Sequence, residues 1–328
     1  MLRQLLYQDY ELTEGYDKEM CIYQTSEYPA FAELRQKRTA SLKEHMIYRR
    51  QIEALSLLDE VRRYVSEHQL VSTRDLSIGI TDGNNWGHRK LSSVALDYLF
   101  NTGELWVADR KATIKYYTMT DKIIGNAVNI FADQPSKCFI DWYVLRRIQA
   151  VGALWAVSGS AWLGYYLKDP QIRNAALQRL LADKKICRIL VEGLSEPFYC
   201  AAADQIYLSD FCEPTPAKII APLDNLIWDR KMTSKVFDFT YSWEVYLPKS
   251  KRKYGYYVLP VLYQNRFIAR FEPLKLAPGQ PFDLLNWWWE ADVVVDDLMI
   301  ESIIVMMKQF AAYLKVPYNS AYLSKLRL

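Results

Sequence analysis

The chain has 328 residues, of which 51% are apolar, 14% aromatic and 24% charged. This length and apolar fraction exclude an intrinsically disordered chain and allow about two to three compact domains. The formal net charge is only +3, so any affinity for nucleic acid must come from local clusters of cations and not from a global field.

The cysteine and histidine contents argue against a disulfide framework and against a zinc site. The five cysteines are widely spaced without a Cys-x-x-Cys pair, and the chain contains only three histidines. We therefore expect no cofactor and no metal, although carboxylate-bound magnesium stays open. The first residues are soon interrupted by polar and acidic groups, which argues against a signal peptide and predicts a cytoplasmic location.

Residues 1–47 do not have the pattern of a whole domain. A turn-like segment at 12–17 follows Met1 too soon for a full set of helices, and the remainder resembles the strand and trailing helix that complete a domain. We expect the chain to begin in the middle of a first winged helix.

A winged helix is predicted over residues 48–120. Two amphipathic patterns precede a short hairpin, and Gly103 fits a left-handed cap at the end of the second helix. The predicted elements are helices at 48–70 and 88–100 and strands at 104–108 and 113–117.

The same order recurs over residues 121–213, which we predict to be another winged helix. Its predicted elements are helices at 141–156, 161–167 and 170–181, a strand at 186–191 and a strand around 197–200. The uncharged run 148–167 has the length of a membrane span, but the Gly159-Ser160 break in its middle predicts two short buried helices instead.

Residues 214–328 are predicted to form a separate, β-rich α+β domain. The predicted strands are 242–247, 255–263, 267–271 and 282–290, followed by a helix at 297–314. Gln264-Asn265 fits a tight turn. Trp287 and Trp289 share one face of a strand, which favours core packing under the last helix over a stacking platform.

A basic hairpin is predicted in this last domain, between strand-like runs at 241–247 and 256–262. Its turn carries four cations, and tyrosines follow directly. Phosphate oxygens and bases are natural partners for cations beside flat rings, although a solvated turn would also be polar. The residues concerned are Lys249, Lys251, Arg252, Lys253 and Tyr254.

The block at 221–231, which contains Trp228 and Asp229, and the segment 248–260 with Arg270 closely resemble the YcaQ/AlkZ winged-helix family of DNA glycosylases. The resemblance implies an α+β fold in which tandem winged helices precede a β-rich C-terminal domain. It also implies a partner, double-stranded DNA that is alkylated or crosslinked. The reaction implied is hydrolysis of the N-glycosidic bond of an alkylated purine in interstrand crosslink repair.

The catalytic motif of that family, Gln-apolar-Gln or Gln-apolar-Asp in its first winged helix, does not occur in this sequence. The nearest triplet, Gln51-Ile52-Glu53, is a pattern that helix surfaces show by chance. The chain also departs from the family pattern after Arg270, and Trp162-Leu163-Gly164-Tyr165-Tyr166 lacks the usual acid.

Three interpretations stay open. The chain is a glycosylase whose catalytic winged helix lies upstream of a misassigned start; or it is a naturally short DNA-binding regulator or accessory factor; or it is a protein-interaction module. In the block at 221–231, Trp228 and Asp229 fit a structural role, with Asp229 as a cap near the positive end of a helix. Besides the basic hairpin, the cations beside a recognition helix, at a wing tip and in this block predict DNA contacts. They are accompanied by one tryptophan, and the set is Trp86, Arg89, Lys90, Arg110, Lys111, Arg230 and Lys231.

Overall fold

A computed structural model describes residues 1–78, 90–125, 137–208, 215–277 and 279–326 of the chain. It divides into two compact units. The first contains Met1–Arg146 and Trp162–Ala182, and the second contains Arg147–Ala161 and Asp183–Leu328.

The first unit combines helices with two small antiparallel sheets. The helices are α1 Leu2–Tyr7, α2 Ala32–Tyr48, α3 Leu58–Glu67, α4 Leu91–Thr102, α5 Asp121–Ile124, α6 Lys137–Val151 (whose last turn from Arg147 belongs to the second unit) and α7 Pro170–Ala182. The strands are β1 Leu12–Tyr16, β2 Met20–Gln24, β3 Val71–Ser72, β4 Leu105–Lys111 and β5 Ile114–Met119.

Strands β1 and β2 pair with each other, and the other sheet has the order β3-β5-β4. Apolar side chains of α3 and α4, such as Val61 and Leu99, are buried in one cluster with Val107 of β4 in this second sheet. Gly103 ends α4 with a φ of 90°, as predicted, and its N–H bonds to the carbonyls of the last turn.

The predicted helix at 48–70 is wrong in its first half. Helix α2 ends at Tyr48, the residue at which the sequence pattern placed a beginning, and a 3-10 helix, Ile52–Leu57, precedes α3. Arg50 has a φ of 55°, and the N–H of Gln51 donates to the carbonyl of Met46 at 2.8 Å. This is the bonding pattern of a helix end, formed here without glycine.

The second unit contains two further antiparallel sheets, of order β6-β8-β7 and β12-β11-β10-β9. The strands are β6 Ala153–Trp155, β7 Ile186–Ile189, β8 Phe198–Ala201, β9 Lys218–Ile219, β10 Leu259–Tyr263, β11 Arg266–Pro273 and β12 Leu284–Trp289. Its helices are α8 Arg230–Phe237 and α9 Asp297–Leu314.

The apolar run that was considered as a membrane span is interrupted. Helix α6 ends before Gly152, which has a φ of 90°, and β6 then pairs with β8. The predicted helix at 161–167 is also wrong, because only Ser160–Trp162 forms a 3-10 turn there. Within the described residues, none of the helices combines the length and apolar character that crossing a bilayer requires.

The four-stranded sheet of the second unit carries α9 across its apolar face. Ile303 and Met307 of this helix are buried against Phe271 of β11, while Trp287 and Trp289 are partly buried in the same cluster. Core packing of these two tryptophans is therefore confirmed. Gln264 and Asn265 both have a positive φ and form the predicted tight turn between β10 and β11.

The mixture of helices with small antiparallel sheets confirms the α+β fold class.

Candidate nucleic-acid interface

The cationic segment at residues 248–257, here called the basic loop, is not a hairpin. Glu244–Tyr246 and Lys249–Lys251 form 3-10 turns where a strand and a tight turn were predicted, and β10 begins only at Leu259. The backbone N–H groups that a hairpin ladder would use are bonded to two carboxylates instead. Hydrogen bonds from the backbone to side-chain carboxylates therefore replace the predicted strand pairing.

Glu244 holds the middle of the basic loop. Its carboxylate accepts hydrogen bonds from the N–H groups of Lys253 at 3.1 Å, Tyr254 at 3.0 Å and Gly255 at 3.3 Å. Burial of Glu244 disfavours its charged form, but these backbone donors outweigh that effect, and the pKa of Glu244 lies below its usual range. The carboxylate is thus a charged anchor under a cationic loop.

Glu272 of β11 holds the end of the same loop. It accepts hydrogen bonds from the N–H groups of Tyr256 at 2.6 Å and Tyr257 at 3.2 Å. Gly255 lies so close to this carboxylate that a Cβ atom there would overlap the Glu272 oxygens. Glycine is therefore required at 255 by close approach and not by its backbone angle.

The anchored loop presents cations and rings to solvent. Lys249, Lys251 and Lys253 are exposed. Arg252 donates from Nε to the carbonyl of Leu247 at 2.8 Å, and its guanidinium lies 4.9 Å from the ring centroid of Tyr256, which is 52% exposed. Cations that follow a phosphate backbone beside rings on which bases can stack are the elements of a nucleic-acid contact.

A polar cleft of about 300 Å³ opens beside the basic loop. The buried Arg270 lines it, with Nε donating to Glu290 at 2.6 Å and the guanidinium 4.2 Å from the ring centroid of Tyr254. The contact between this cation and the ring orders Tyr254, and Glu290 balances the charge of Arg270. Lys253 adds an exposed cation to the lining.

The block around Trp228 forms the start of α8. Asp229 is buried and caps this helix, accepting from the N–H groups of Lys231 and Met232 at 3.1 Å each. This confirms the predicted capping role of Asp229. Lys231 is exposed.

Arg230 is occupied within the fold. It donates to the carbonyl of Pro222 at 3.0 Å, and its guanidinium lies 4.5 Å from the ring centroid of Tyr241. Burial lowers the pKa of Arg230, an effect that the Tyr241 hydroxyl partly opposes. Of these two neighbouring cations, Lys231 is thus the one presented to solvent.

In the first unit, Trp86 and Arg89 lie outside the described residues. Lys90 is half-buried at the residue preceding α4, with no cap bond from its side chain. Arg110 is ion-paired with the buried carboxylate of Glu14. Lys111 is exposed at the end of β4, with Nζ 5.1 Å from the ring centroid of Tyr116.

The triplet Gln51-Ile52-Glu53 lies at the beginning of the 3-10 helix that precedes α3, and not within a long helix. Glu53 is exposed there. Across the described ranges, no three or more His, Cys, Asp or Glu side chains come together in a way that could hold a metal ion.

Glu244 and Glu272 were missed by the sequence analysis as parts of this site. Each lies far along the chain from the N–H groups that it binds, and no local rule connects an acid to a backbone segment at such separations. The one available signal was Gly255, since a glycine inside an otherwise bulky and cationic run suggests a close approach.

Two comparisons place the chain among known proteins. The family model described as DNA glycosylase AlkZ-like matches residues 1–301. Among solved structures, the DNA glycosylase AlkZ of Streptomyces sahachiroi aligns with a TM-score of 0.60 and 12% sequence identity, over 97% of this chain and 82% of that one. At such low identity the structural alignment shows a common fold, whereas the family match covers most of the sequence. The chain therefore belongs to the AlkZ-like family of DNA glycosylases.

Proposed function

We propose that this protein binds double-stranded DNA, alkylated or crosslinked, through the basic loop, and that it does so without releasing a base. The observation that carries the proposal is the anchoring of the loop by Glu244 and Glu272. A solvated turn needs no such anchors, whereas a contact surface gains affinity when its cations and rings are ordered before binding.

The proposal gives separate roles to the cations of the site. Lys249, Lys251 and Lys253 contact phosphates, and Tyr254 is held by Arg270 beside them. Lys231 adds a phosphate contact from the start of α8, while Arg230 serves the fold of the same block. Phosphate contacts of this type give affinity and orientation, not sequence preference.

We also propose that residues 48–120 and 121–213 are winged helices. In support of this, a helix is followed by an antiparallel strand pair in each region, namely α4 with β4–β5 and α7 with β7–β8 in chain order. Lys90 and Lys111 then belong to the DNA-facing helix and wing of the first of these domains. A cytoplasmic location follows from the proposal, because a DNA repair protein must reach the chromosome.

The absence of base release rests on the sequence, which contains neither Gln-apolar-Gln nor Gln-apolar-Asp. Glycosidic hydrolysis needs an amide or carboxylate that orients a water and stabilises the positive charge on the sugar. Because residues 1–328 lack that motif, we propose that they act in DNA binding, in an accessory or regulatory role, and not in base release.

The test of DNA binding is fluorescence anisotropy with a labelled duplex over a range of salt concentrations. Replacing Lys249, Lys251, Arg252 and Lys253 together by Ala is expected to weaken binding and to reduce the salt slope by about three to four. The matched control replaces four exposed lysines of the same unit, Lys218, Lys275, Lys308 and Lys315, by Ala. Equal losses of duplex affinity and of salt slope in both variants would show that only net charge matters, and would contradict a contact at the loop.

The test of catalysis is incubation with methylated and with crosslinked duplex, followed by chromatography of released bases. We expect no release above a heat-killed control. If bases are released, and a single substitution in this chain abolishes the release, the substituted residue performs the role of the missing motif.

A further inference from the structure

Two cysteines face each other across a strand pair in the second unit. Cys187 of β7 is directly opposite Cys200 of β8 in the antiparallel register, and their Sγ atoms are 3.0 Å apart. Both are free thiols. The sequence alone places them thirteen residues apart without any motif, so their meeting follows from the register of the sheet.

The backbone geometry of this pair suits a disulfide. Directly opposite residues of antiparallel strands have Cα atoms about 4.5 to 5.5 Å apart, which lies within the range of about 4.4 to 6.8 Å found across disulfides. Bond formation needs the two sulfurs to approach by about 1 Å, since a disulfide bond measures about 2.05 Å. A movement of this size is within the reach of rotation about the two Cα–Cβ bonds.

The two thiols differ in their access to solvent. Cys187 is half-buried, whereas Cys200 is only 2% exposed. Burial raises the pKa of Cys200 to about 12, and the hydrogen bond with Cys187 adds to this effect. Because Cys187 is the more accessible of the two, its sulfur meets a reagent first, and Cys200 is placed to react second.

We propose that Cys187 and Cys200 form a reversible disulfide, with a small-molecule disulfide such as glutathione disulfide as the oxidant. The Cys187 thiolate attacks one sulfur of the reagent, whose S–S bond breaks and releases a first glutathione thiolate. The Cys200 sulfur then attacks Sγ of Cys187, loses its proton to solvent and displaces the second glutathione. Two protein thiols are oxidised while one glutathione disulfide is reduced to two glutathiones.

The high pKa of Cys200 leaves only a small fraction of its thiol as the reactive thiolate, so its attack on a separate molecule would be slow. At 3.0 Å from its target, however, the second step is intramolecular, and a reacting pair held at this distance gains a large effective concentration. The resulting bond closes the loop between β7 and β8, which carries the exposed Leu190. This modification does not depend on whether the protein binds DNA.

The experiment exposes the fully reduced, full-length protein to a series of glutathione redox buffers, followed by acid quenching, alkylation and peptide mass mapping. We expect the loss of two alkylatable thiols, a peptide crosslinked between 187 and 200, a monomer on a non-reducing gel, and full reversal by dithiothreitol. The urea midpoint of the oxidised form should rise, because the link restricts the unfolded chain.

Single variants separate the two steps. Cys200→Ser should stop at a mixed disulfide of glutathione with Cys187, and Cys187→Ser should leave Cys200 as an unmodified thiol. Cys138→Ser, the control, should form the 187–200 crosslink as the original protein does. The proposal is overturned if the original protein accumulates only the mixed disulfide, if both thiols remain alkylatable in oxidising buffer, or if the crosslink forms only in denaturant.

Discussion

The carboxylate of Glu244 accepts a hydrogen bond from the backbone N–H of Tyr254 at 3.0 Å, and this contact fixes the middle of the basic loop. The same carboxylate serves the adjacent N–H groups of Lys253 and Gly255. An acid thus orders the most cationic segment of the second unit. Its role can be separated from that of the cations themselves.

Replacing Glu244 by Ala should destabilise the protein by about 1 to 3 kcal/mol, since three partly buried N–H groups lose their acceptor. Duplex binding should weaken too, but with an unchanged salt slope, because no phosphate contact is removed. Glu244→Gln retains an acceptor oxygen and should cost less. The measurements are urea unfolding and anisotropy.

The exposed acid Glu301 of α9 provides the control. Glu301→Ala changes net charge equally, and we expect it to leave stability within about 0.5 kcal/mol. If Glu244→Ala binds duplex as tightly as the unmodified protein does, ordering of the loop is not needed for binding.

The pH dependence of stability should also show that the Glu244 carboxylate is charged when it anchors the basic loop. A carboxyl whose pKa is lower in the folded than in the unfolded protein stabilises the fold above its unfolded pKa, near the ordinary value of 4.5 for Glu244. That contribution is lost as the pH falls through the lower, folded value. We therefore expect the difference in urea midpoint between the original protein and Glu244→Gln to be constant around neutral pH and to shrink below about pH 4.5. A difference that grows on acidification would contradict the charged anchor.

Elements with a strong local pattern could be predicted from the sequence. The helix expected at 297–314 is α9, Asp297–Leu314, because its apolar residues recur at helical spacing over several turns. Gly103 and Asp229 were identified because a left-handed cap and an N-cap each require particular residue types.

Features that depend on distant partners could not be predicted. Glu244 binds N–H groups nine to eleven residues away, and Glu272 binds others fifteen and sixteen residues away, so the segment has the alternation of a hairpin without its pairing. The break at Arg50 is formed without the glycine that usually indicates one. The meeting of Cys187 with Cys200 required the strand register, which composition does not specify.

Asp229 should be one of the residues most sensitive to substitution in the second unit. Besides capping α8, its Oδ2 accepts from Nε1 of Trp155 at 3.2 Å. Asp229→Ala removes the cap and leaves a buried indole N–H without this acceptor, with an expected cost of about 2 to 4 kcal/mol in urea unfolding. Asp229→Asn, which keeps an acceptor oxygen at the cap, should cost less. Equal costs for the two variants would show that the charge, and not the acceptor, stabilises this site.

The packing around the Asp229 carboxylate can be tested by substitution at Gly159. A Cβ atom at 159 would overlap the side chain of Asp229, and Gly159 has no positive φ, so the penalty is steric. We expect Gly159→Ala to destabilise the protein by about 1 to 3 kcal/mol alone and by much less in the Asp229→Ala background. Additive costs in this double-mutant cycle would show that the two positions do not interact.

Arg110 and Lys111 are neighbours at the end of β4 with different surroundings, although the sequence suggested DNA contact for both. Arg110 donates from Nε to Glu14 at 3.1 Å, and the hydroxyl of Tyr7 donates to the same carboxylate at 2.6 Å. Burial, with a further contribution from Glu14, raises the pKa of Tyr7 to about 12, so this hydroxyl stays protonated as a donor. Lys111 is exposed.

Arg110→Ala should therefore destabilise the first unit by about 1 to 3 kcal/mol, because the buried Glu14 loses its cation, while the salt slope of duplex binding stays the same. Lys111→Ala should have the opposite profile, with unchanged stability and a salt slope reduced by about one. Arg110→Lys keeps the charge but cannot donate from two nitrogens to both carboxylate oxygens of Glu14, as Nε and Nη2 of Arg110 do, and should recover only part of the stability. A fall in salt slope for Arg110→Ala equal to that for Lys111→Ala, at unchanged stability, would instead place Arg110 on the DNA.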